Sequence, residues 1–258
     1  MTENGKIETT VKNGIGTVQF SHPQSNSMPG RLLVSLSEEI EKAGKNEHIK
    51  VIVLKSEGEK AFCAGASFDE LINIADIEGG VKFFSGFASV INAMRKAPKF
   101  IIARIQAKAV GGGIGIAATA DYALAHESAS VKLSELALGI GPFVVGPAIE
   151  RKTGTAAFSQ MAVNPDKWFD AGWAKEKGLY AEVWASQAEL DREVEALASK
   201  LAVYSPAAMA KLKSVLWEGT EKWDELLIQR ARLSGELVLS QFTKDFIRNF
   251  KQNKTKVK

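Results

Sequence analysis

A cluster of glycines near the middle of the chain constrains the fold more than any other segment. The cluster spans Ala109 to Ala118 with the sequence AVGGGIGIAA; an apolar run from Phe100 to Ile105 precedes it, and an alanine-rich, helix-like run follows. A strand, a glycine turn and a helix start in succession direct free backbone N–H groups, and the positive end of the helix dipole, at an anion. The sequence therefore predicts an anion-binding turn, and the identity of the anion decides the function.

Length and composition indicate an ordinary globular protein. The chain has 258 residues, of which 45% are apolar and 24% charged, and its net charge is +3. A chain of this size can form one large α/β domain, or a domain with a helical extension, around a sizeable core. The small net charge does not indicate a nucleic-acid or membrane surface, so we expect neither partner.

The single cysteine, Cys63, excludes an internal disulfide and favours a reducing, cytoplasmic location. The first twenty residues lack the apolar core of a signal peptide, and no apolar stretch reaches the roughly eighteen residues of a membrane span. The three histidines are scattered and have no metal-ligand spacing with Cys63, so no metal site is expected.

The pattern of elements changes along the chain. Strand-like runs alternate with helical patterns up to Pro147, and an Asn-Gly pair at 13–14 predicts a hairpin between the first two strands. Beyond Pro147 the chain is almost entirely helix-like, including one long pattern from Lys222 to Phe250. We predict an α/β core over residues 1–195 and a C-terminal helical region over residues 196–258.

The glycine cluster fits a dinucleotide-binding fingerprint in part. Gly113, Gly115 and Ala118 match GxGxxG/A, and Glu135 lies twenty residues beyond Gly115, where a ribose contact is expected. However, the motif lies in mid-chain, two predicted strands separate it from Glu135, and its glycines are denser than a pyrophosphate turn needs. A purely structural turn is a further alternative.

A second junction favours a third interpretation. Residues Ala61 to Ala66, with the sequence AFCAGA, lie between an apolar strand and a predicted helix that begins near Phe68. Small residues there allow a ligand to approach the backbone closely. Two such junctions can each direct one N–H at the same oxygen atom, which is the minimum for an oxyanion hole.

Both motifs together resemble the crotonase superfamily, also called the enoyl-CoA hydratase/isomerase family. The resemblance is carried by AFCAGA at 61–66, VGGG at 110–113, Asp121 and SELALGI at 134–140, and it covers essentially the whole chain. It implies an α/β fold, a spiral of ββα units with a C-terminal helical region that builds homotrimers, often paired into hexamers. It also implies an acyl-CoA thioester as substrate and no cofactor other than the coenzyme A of that substrate.

The resemblance also implies which residues form the site. The backbone N–H groups of Ala66 and Gly112 correspond to the oxyanion hole, and Glu135 to the catalytic carboxylate. The residues that correspond to substrate and CoA contacts are Ser25, Asn26, Ala64, Gly65, Ser67, Phe68, Gly111, Ser134 and Phe143, with Phe250 and Lys254 in the segment that closes over CoA. Ser67 stands where the family often carries an aspartate, although serine can also cap a helix.

The chemistry is consistent with these roles. Removal of a proton beside a thioester carbonyl produces an enolate, whose charge on oxygen is stabilised by preorganised N–H groups. The base needs a pKa raised toward neutrality, which an apolar surrounding provides. Glu135 has leucines at 133, 136 and 138 as neighbours in the sequence, which favours such a surrounding. A surface or helix-capping carboxylate is the alternative for Glu135.

One departure from the family pattern narrows the function. Hydratases of the family use two glutamates, and the second corresponds to Gly115, with no carboxylate anywhere between Gly111 and Ala120. One base suits proton transfer from C2 to C4 of a 3-enoyl-CoA, as in the single-glutamate Δ3,Δ2-enoyl-CoA isomerases, which this chain resembles most in its catalytic pattern. The alternatives are a hydratase or dehydratase, including one for branched acyl groups, that uses Glu135 alone, other enolate chemistry, and a non-catalytic CoA-binding protein. Phe143 and the two following valines are expected to shape the acyl pocket.

Overall fold

A computed structural model describes residues 5–256, with side chains described over residues 5–249. The nine strands of this part are β1 (Lys6–Lys12), β2 (Ile15–Ser21), β3 (Val51–Ser56), β4 (Ala61–Cys63), β5 (Ile101–Ile105), β6 (Lys108–Val110), β7 (Tyr122–His126), β8 (Val131–Lys132) and β9 (Glu182–Trp184). Its ten helices are α1 (Gly30–Lys45), α2 (Phe68–Leu71), α3 (Ile77–Lys96), α4 (Gly112–Thr119), α5 (Gly146–Val163), α6 (Ala171–Glu176), α7 (Gln187–Ala202), α8 (Pro206–Leu216), α9 (Trp223–Leu237) and α10 (Gln241–Lys256).

The strands form two sheets. The larger has the order β1-β2-β3-β5-β7-β9, in which only β1 and β2 are antiparallel, and the smaller has the order β4-β6-β8, all parallel. The β1–β2 connection confirms the predicted hairpin, because Asn13 and Gly14 both have positive φ, 51° and 80°, as a two-residue turn of this kind requires.

The chain path is a spiral of ββα units, as the resemblance implied. One strand enters the large sheet, the next enters the small sheet, and a helix returns the chain to the large sheet. The order β3-β4-α3 is followed by β5-β6-α4 and then by β7-β8-α5. Equivalent ends of the strands of the small sheet therefore lie side by side, which brings the loops after β4, β6 and β8 together.

The large sheet is covered on both faces. On one face, α1 and α3 pack into the main core, and on the other the buried side of α7 packs against alternate strand residues. This second cluster consists of Ile15, Val51, Val53, Ile102, Leu124, Leu190, Val194 and Ala198. Burial on both faces explains why β3 is a continuous apolar run rather than an alternating one.

The C-terminal part differs in detail from the sequence prediction. The helix expected over Lys222–Phe250 is wrong as a single element, because α9 ends at Leu237 and α10 begins at Gln241. Ser240 accepts a hydrogen bond from the Thr243 N–H at 3.3 Å, which is a helix cap. The predicted boundary between residues 195 and 196 falls inside α7, and the division into two regions stays a prediction. Within residues 5–256 no helix is long and apolar enough to cross a membrane.

Candidate active site

A cavity lies where the loops after β4, β6 and β8 meet α3 and α9. It encloses about 570 Å³ of empty space, including part of its open mouth. Its walls come from the loop at 64–68, the glycine turn at 110–112, the segment 134–145, and single residues of α2, α3 and α9. Most wall side chains are apolar, so the cavity is suited to an acyl chain.

Gly111 forms the turn between β6 and α4 and has a conformation that other residues rarely adopt, with φ 52° and ψ −117°. Its N–H donates to the Lys132 carbonyl at 3.0 Å, which joins the turn to the end of β8. A Cβ atom on Gly111 would lie 2.7 Å from Oε1 of Glu135. The glycine is therefore required both by the backbone conformation and by the close approach of the carboxylate.

The backbone N–H groups of Ala66 and Gly112 are available to a ligand. Met28 and Ala66 form an isolated parallel β-bridge. In this bridge the Met28 N–H donates to the Gly65 carbonyl and the Ser67 N–H donates to the Met28 carbonyl, so the bridge does not use the Ala66 N–H. Neither the Ala66 nor the Gly112 N–H has an acceptor within the described part of the chain. A Cβ atom on Gly65 would lie only 3.6 Å from the Gly112 nitrogen, so the two loops are in contact.

Glu135 presents a shielded carboxylate to this cavity. Its carbonyl accepts hydrogen bonds from the N–H groups of Leu138 and Ile140, both at 3.1 Å, which fixes the backbone just after β8. Its Oε2 is inaccessible to solvent and has no hydrogen-bond partner among the described residues. Burial raises the pKa of Glu135 to about 7, against a smaller opposing effect from its own backbone N–H. A carboxylate with this pKa can accept and return a proton near neutral pH.

The place beside Gly115 is filled by Val145. A Cβ atom on Gly115 would lie 2.5 Å from Cγ1 of Val145, and the whole of α4 is buried. Among the described residues that line the cavity, Glu135 is the one with a carboxylate. The structure thus adds a steric reason to the absence that the sequence indicated, because a second glutamate at 115 would displace Val145.

Nine of the twelve residues predicted for the site line the cavity. They are Ala64, Gly65, Ala66, Phe68, Gly111, Gly112, Ser134, Glu135 and Phe143. Val144 and Val145 also line it, as expected of residues that shape the acyl pocket. The structure does not place Ser25, Asn26 or Ser67 in this wall. Ser67 precedes α2 as its N-cap residue, but its side chain makes no capping hydrogen bond.

Asn26 braces a loop rather than facing the cavity. Its Nδ2 donates to the carbonyls of Glu57 and Ala61, at 2.7 and 2.8 Å, and its Oδ1 accepts from the His22 N–H. Ser25 is exposed, and its carbonyl accepts from the Ala64 N–H at 3.2 Å. Both residues line a separate surface cleft, and their contact with CoA stays a prediction. The side chains of Phe250 and Lys254 lie outside the described residues.

Asp121 stabilises the fold rather than lining the cavity. Its Oδ2 accepts from the Ile101 N–H at 2.7 Å and pairs with Lys213 Nζ at 2.8 Å, while its Oδ1 accepts from Trp217 Nε1 at 3.0 Å. Both of its oxygens are engaged and Asp121 is not among the residues that line the cavity, so it does not replace the missing carboxylate. No group of three His, Cys, Asp or Glu side chains that could hold a metal is present in the part of the chain described.

Four wall residues that lie on helices were not predicted by the sequence analysis: Leu71 of α2, Phe84 and Phe87 of α3, and Ser234 of α9. The sequence does not distinguish the three apolar residues from ordinary core residues. Ser234 had a usable signal, since it continues the buried face of α9 formed by Trp223, Leu227 and Ala231. A polar residue at such a position calls for an explanation.

Comparison with known proteins places the chain in a family. Residues 10–252 match the family model described as "Enoyl-CoA hydratase/isomerase". A Bacillus subtilis (strain 168) protein named "Probable enoyl-CoA hydratase" is 27% identical over 246 residues, 95% of each chain. The 2,3-dehydroadipyl-CoA hydratase of Escherichia coli (strain K12) is 28% identical over 197 residues, 76% of this chain and 75% of that protein.

Solved structures agree on the fold. The crystal structure of an enoyl-CoA hydratase from Bacillus halodurans superposes with a TM-score of 0.87 at 20% identity, covering 94% of this chain and 99% of the other. At that identity the likeness concerns the fold alone, whereas the family match extends over nearly the whole sequence. The chain therefore belongs to the enoyl-CoA hydratase/isomerase family of the crotonase superfamily.

Proposed function

We propose that this protein converts 3-enoyl-CoA into 2-enoyl-CoA, with Glu135 as the single acid and base. The observation that carries the proposal is a lone shielded carboxylate whose burial raises its pKa to about 7. The space where a second carboxylate would stand is filled by Val145. A transfer of one proton between two carbons needs one carboxylate and no bound water.

The proposed reaction has two steps. The C2–H bond of the substrate breaks, its proton moves to a carboxylate oxygen of Glu135, and the electron pair delocalises through the thioester to leave negative charge on the carbonyl oxygen. The N–H groups of Ala66 and Gly112 hold that oxygen and stabilise the charge as it develops. Glu135 then returns the proton to C4, so the double bond moves from C3–C4 to C2–C3. No net proton or electron is gained or lost.

The geometry supports these roles at each position. Ala66 and Gly112 lie on adjoining loops with N–H groups that have no acceptor among the described residues, and Glu135 lies against Gly111, the neighbour of Gly112. The proposed oxyanion donors and the proposed base therefore line the same cavity. A thioester held there places C2 between the two functions, which is the arrangement that proton abstraction requires.

The test is turnover of 3-hexenoyl-CoA, followed by the ultraviolet absorbance of the conjugated product. We expect wild-type protein to form the 2-enoyl isomer and Glu135→Gln to lower kcat by at least about 10²-fold, since general acid–base catalysis contributes 10²–10⁴-fold. The matched control is Glu127→Gln, an exposed glutamate near the end of β7 that is remote from the cavity lining. Full activity of Glu135→Gln would refute the assignment of Glu135 as the base.

Hydration is the second candidate, because the curated relatives compared above are named as hydratases. A hydratase would hold and ionise water with Glu135 alone. Addition of water to crotonyl-CoA at a rate comparable to isomerisation would therefore replace our proposal with this one. Tight binding of acyl-CoA with turnover of neither substrate would instead indicate a binding protein.

A further inference from the structure

We infer that the acyl pocket selects an uncharged acyl chain that carries a hydrogen-bonding oxygen several carbons from the thioester, and that Ser234 binds this oxygen. The inference rests on the proposed acyl-CoA substrate and specifies the chemical class of its acyl group. It concerns binding rather than the proton transfer itself, so it can be tested separately from the reaction.

Ser234 is an almost fully buried residue, and its hydroxyl has no hydrogen-bond partner among the described residues. The residue is 2% exposed and lines the cavity. Within the described residues its side chain forms no hydrogen bond, although the hydroxyls of other helical residues, such as Thr119 and Thr153, bond to the carbonyl four residues before them. A ligand oxygen in the cavity would satisfy the hydroxyl.

The position of Ser234 is set by a close helix crossing. A Cβ atom on Gly80 of α3 would lie 2.6 Å from Cα of Gly235, so the two backbones are in direct contact. At the other end of the pocket, a Cβ atom on Gly112 would lie 2.1 Å from Cε1 of Phe87, which also belongs to α3. Gly80 and Phe87 are two helical turns apart, about 10 Å along the axis. Ser234 therefore lies well away from the oxyanion donors, at the depth of the acyl chain.

The polarity of the wall limits the group that Ser234 can bind. Among the described lining residues, the polar side chains are Ser134, Glu135 and Ser234, and none is cationic. A second carboxylate on the acyl group would be buried without a counter-ion, in the same apolar cavity that already raises the pKa of Glu135. A hydroxyl, ether or ketone oxygen carries no such penalty and can pair with one serine.

Binding of saturated acyl-CoAs tests this without catalysis. By titration calorimetry we would compare octanoyl-CoA with hydroxyoctanoyl-CoAs that carry the hydroxyl at successive carbons from C5 to C8, and with suberyl-CoA, which ends in a carboxylate. We expect at least one hydroxyacyl-CoA to bind wild-type protein about tenfold more tightly than octanoyl-CoA. Suberyl-CoA should bind at least tenfold more weakly than octanoyl-CoA.

Two variants assign the effect to Ser234. Ser234→Ala should lose the preference for the hydroxyacyl-CoA while its affinity for octanoyl-CoA changes by less than about threefold. The control is Ser89→Ala, an exposed serine of α3 whose hydroxyl bonds to the Ser85 carbonyl, and it should keep the preference.

The inference is overturned if no hydroxyacyl-CoA binds more tightly than octanoyl-CoA, if Ser234→Ala keeps the preference, or if suberyl-CoA binds as well as the others. A protein that shows the preference but does not isomerise 3-hexenoyl-CoA would refute the proposed function and leave this inference standing. A protein that binds none of these thioesters would refute both.

Discussion

Glu135 shows how a single residue acquires its chemistry from its neighbours. The side chain of a solvent-exposed glutamate has a pKa well below neutral pH. In this fold burial raises the pKa of Glu135 to about 7. The carboxylate must be ionised to accept the C2 proton, so protonation inactivates it. We expect kcat/KM for 3-hexenoyl-CoA to be low at pH 5, to rise about tenfold per pH unit below 7, and to level off above 7.

The measurement is a pH–rate profile between about pH 3.5 and 9 on the intact protein, with circular dichroism at each pH to confirm folding. A mid-point near the ordinary glutamate value, about 4.3, would show that the carboxylate is hydrated and not shielded in the working enzyme. A flat profile would mean that Glu135 does not take the proton in the rate-determining step.

The backbone of Gly115 packs closely against the side chain of Val145. Because a Cβ atom on Gly115 would meet Cγ1 of Val145 at 2.5 Å and its Cβ at 2.6 Å, Gly115→Ala should destabilise the protein by about 1–3 kcal/mol. Gly115→Ala should cost less stability in the Val145→Gly background than in the wild-type protein, because Val145→Gly removes the side chain that the new methyl group meets. Guanidinium unfolding of the four proteins gives the coupling energy.

The control for this cycle is Gly172→Ala in α6. A Cβ atom there meets only Asp170 Oδ1, at 3.3 Å, so the substitution should be close to neutral or slightly stabilising in a helix. Additive effects of the two substitutions at 115 and 145 would contradict the steric account. The same cycle indicates why a glutamate at 115 would not by itself create a second catalytic carboxylate.

At the scale of elements, one buried ion pair joins α8 to the sheet. Lys213 Nζ contacts Asp121 at 2.8 Å and also donates to the carbonyls of Met94 and Lys99, each at 2.8 Å. Burial lowers the pKa of Lys213, while the neighbouring Asp121 opposes that shift. Every donor direction of the ammonium group is therefore used, and the pair connects α8 with the end of α3 and the start of β5.

Removal of one partner should cost far more than removal of both. We expect Lys213→Ala to lower the free energy of unfolding by about 3–5 kcal/mol, because it leaves Asp121 buried without its cation. Lys213→Met with Asp121→Asn should cost clearly less. Lys211→Ala, at an exposed position two residues earlier, is the control and should be near neutral. Denaturant unfolding measures all three, and equal stability of Lys213→Ala and the control would refute the structural role.

Elements with a specific sequence signal could be predicted from the sequence, and elements without one could not. The apolar run of β3 and the hairpin turn at 13–14 were evident, because burial on both faces and positive φ each leave a sequence signal. The three-residue strand β6 is too short for any period. The break between α9 and α10 has neither glycine nor proline, and only the cap at Ser240 indicates it.

The same distinction holds for the site. The glycine turn, Ala66 and Glu135 could be predicted because each belongs to a local motif with its own backbone requirement. Ser234, by contrast, follows Glu135 by 99 positions in the sequence, and the contact of Gly80 with Gly235 brings it to the cavity. Contacts between distant elements depend on how helices cross, which periodicity within one helix does not reveal.

For the whole molecule, the spiral explains why the site lies where it does. Each turn of the spiral adds one loop at the same edge of the small sheet, so three loops separated in sequence meet at one cavity. Helix α9 packs along α3 of the same chain, and α10 contacts the short turn Leu136–Leu138 that follows Glu135. One chain therefore supplies both the loops of the proposed catalytic site and another wall of the cavity.

The exposed face of α8 carries a prediction about assembly. Leu212, Val215 and Leu216 are 52, 56 and 53% exposed, and their spacing of three and four residues places them on one side of the helix. Apolar side chains grouped in this way indicate a surface that is covered by another protein chain. The family resemblance implies a homotrimer or hexamer, so we predict a solution mass of three or six times 27.9 kDa.

Sedimentation equilibrium at micromolar concentration measures this mass directly. We expect Val215→Asp to shift the protein toward the monomer, because a charge in an apolar interface is costly unless it is paired. Val34→Asp, at a half-exposed position on α1, changes charge equally and should leave the assembly intact. A wild-type mass of 27.9 kDa would contradict the predicted assembly. An unchanged mass of Val215→Asp would place the interface elsewhere than on α8.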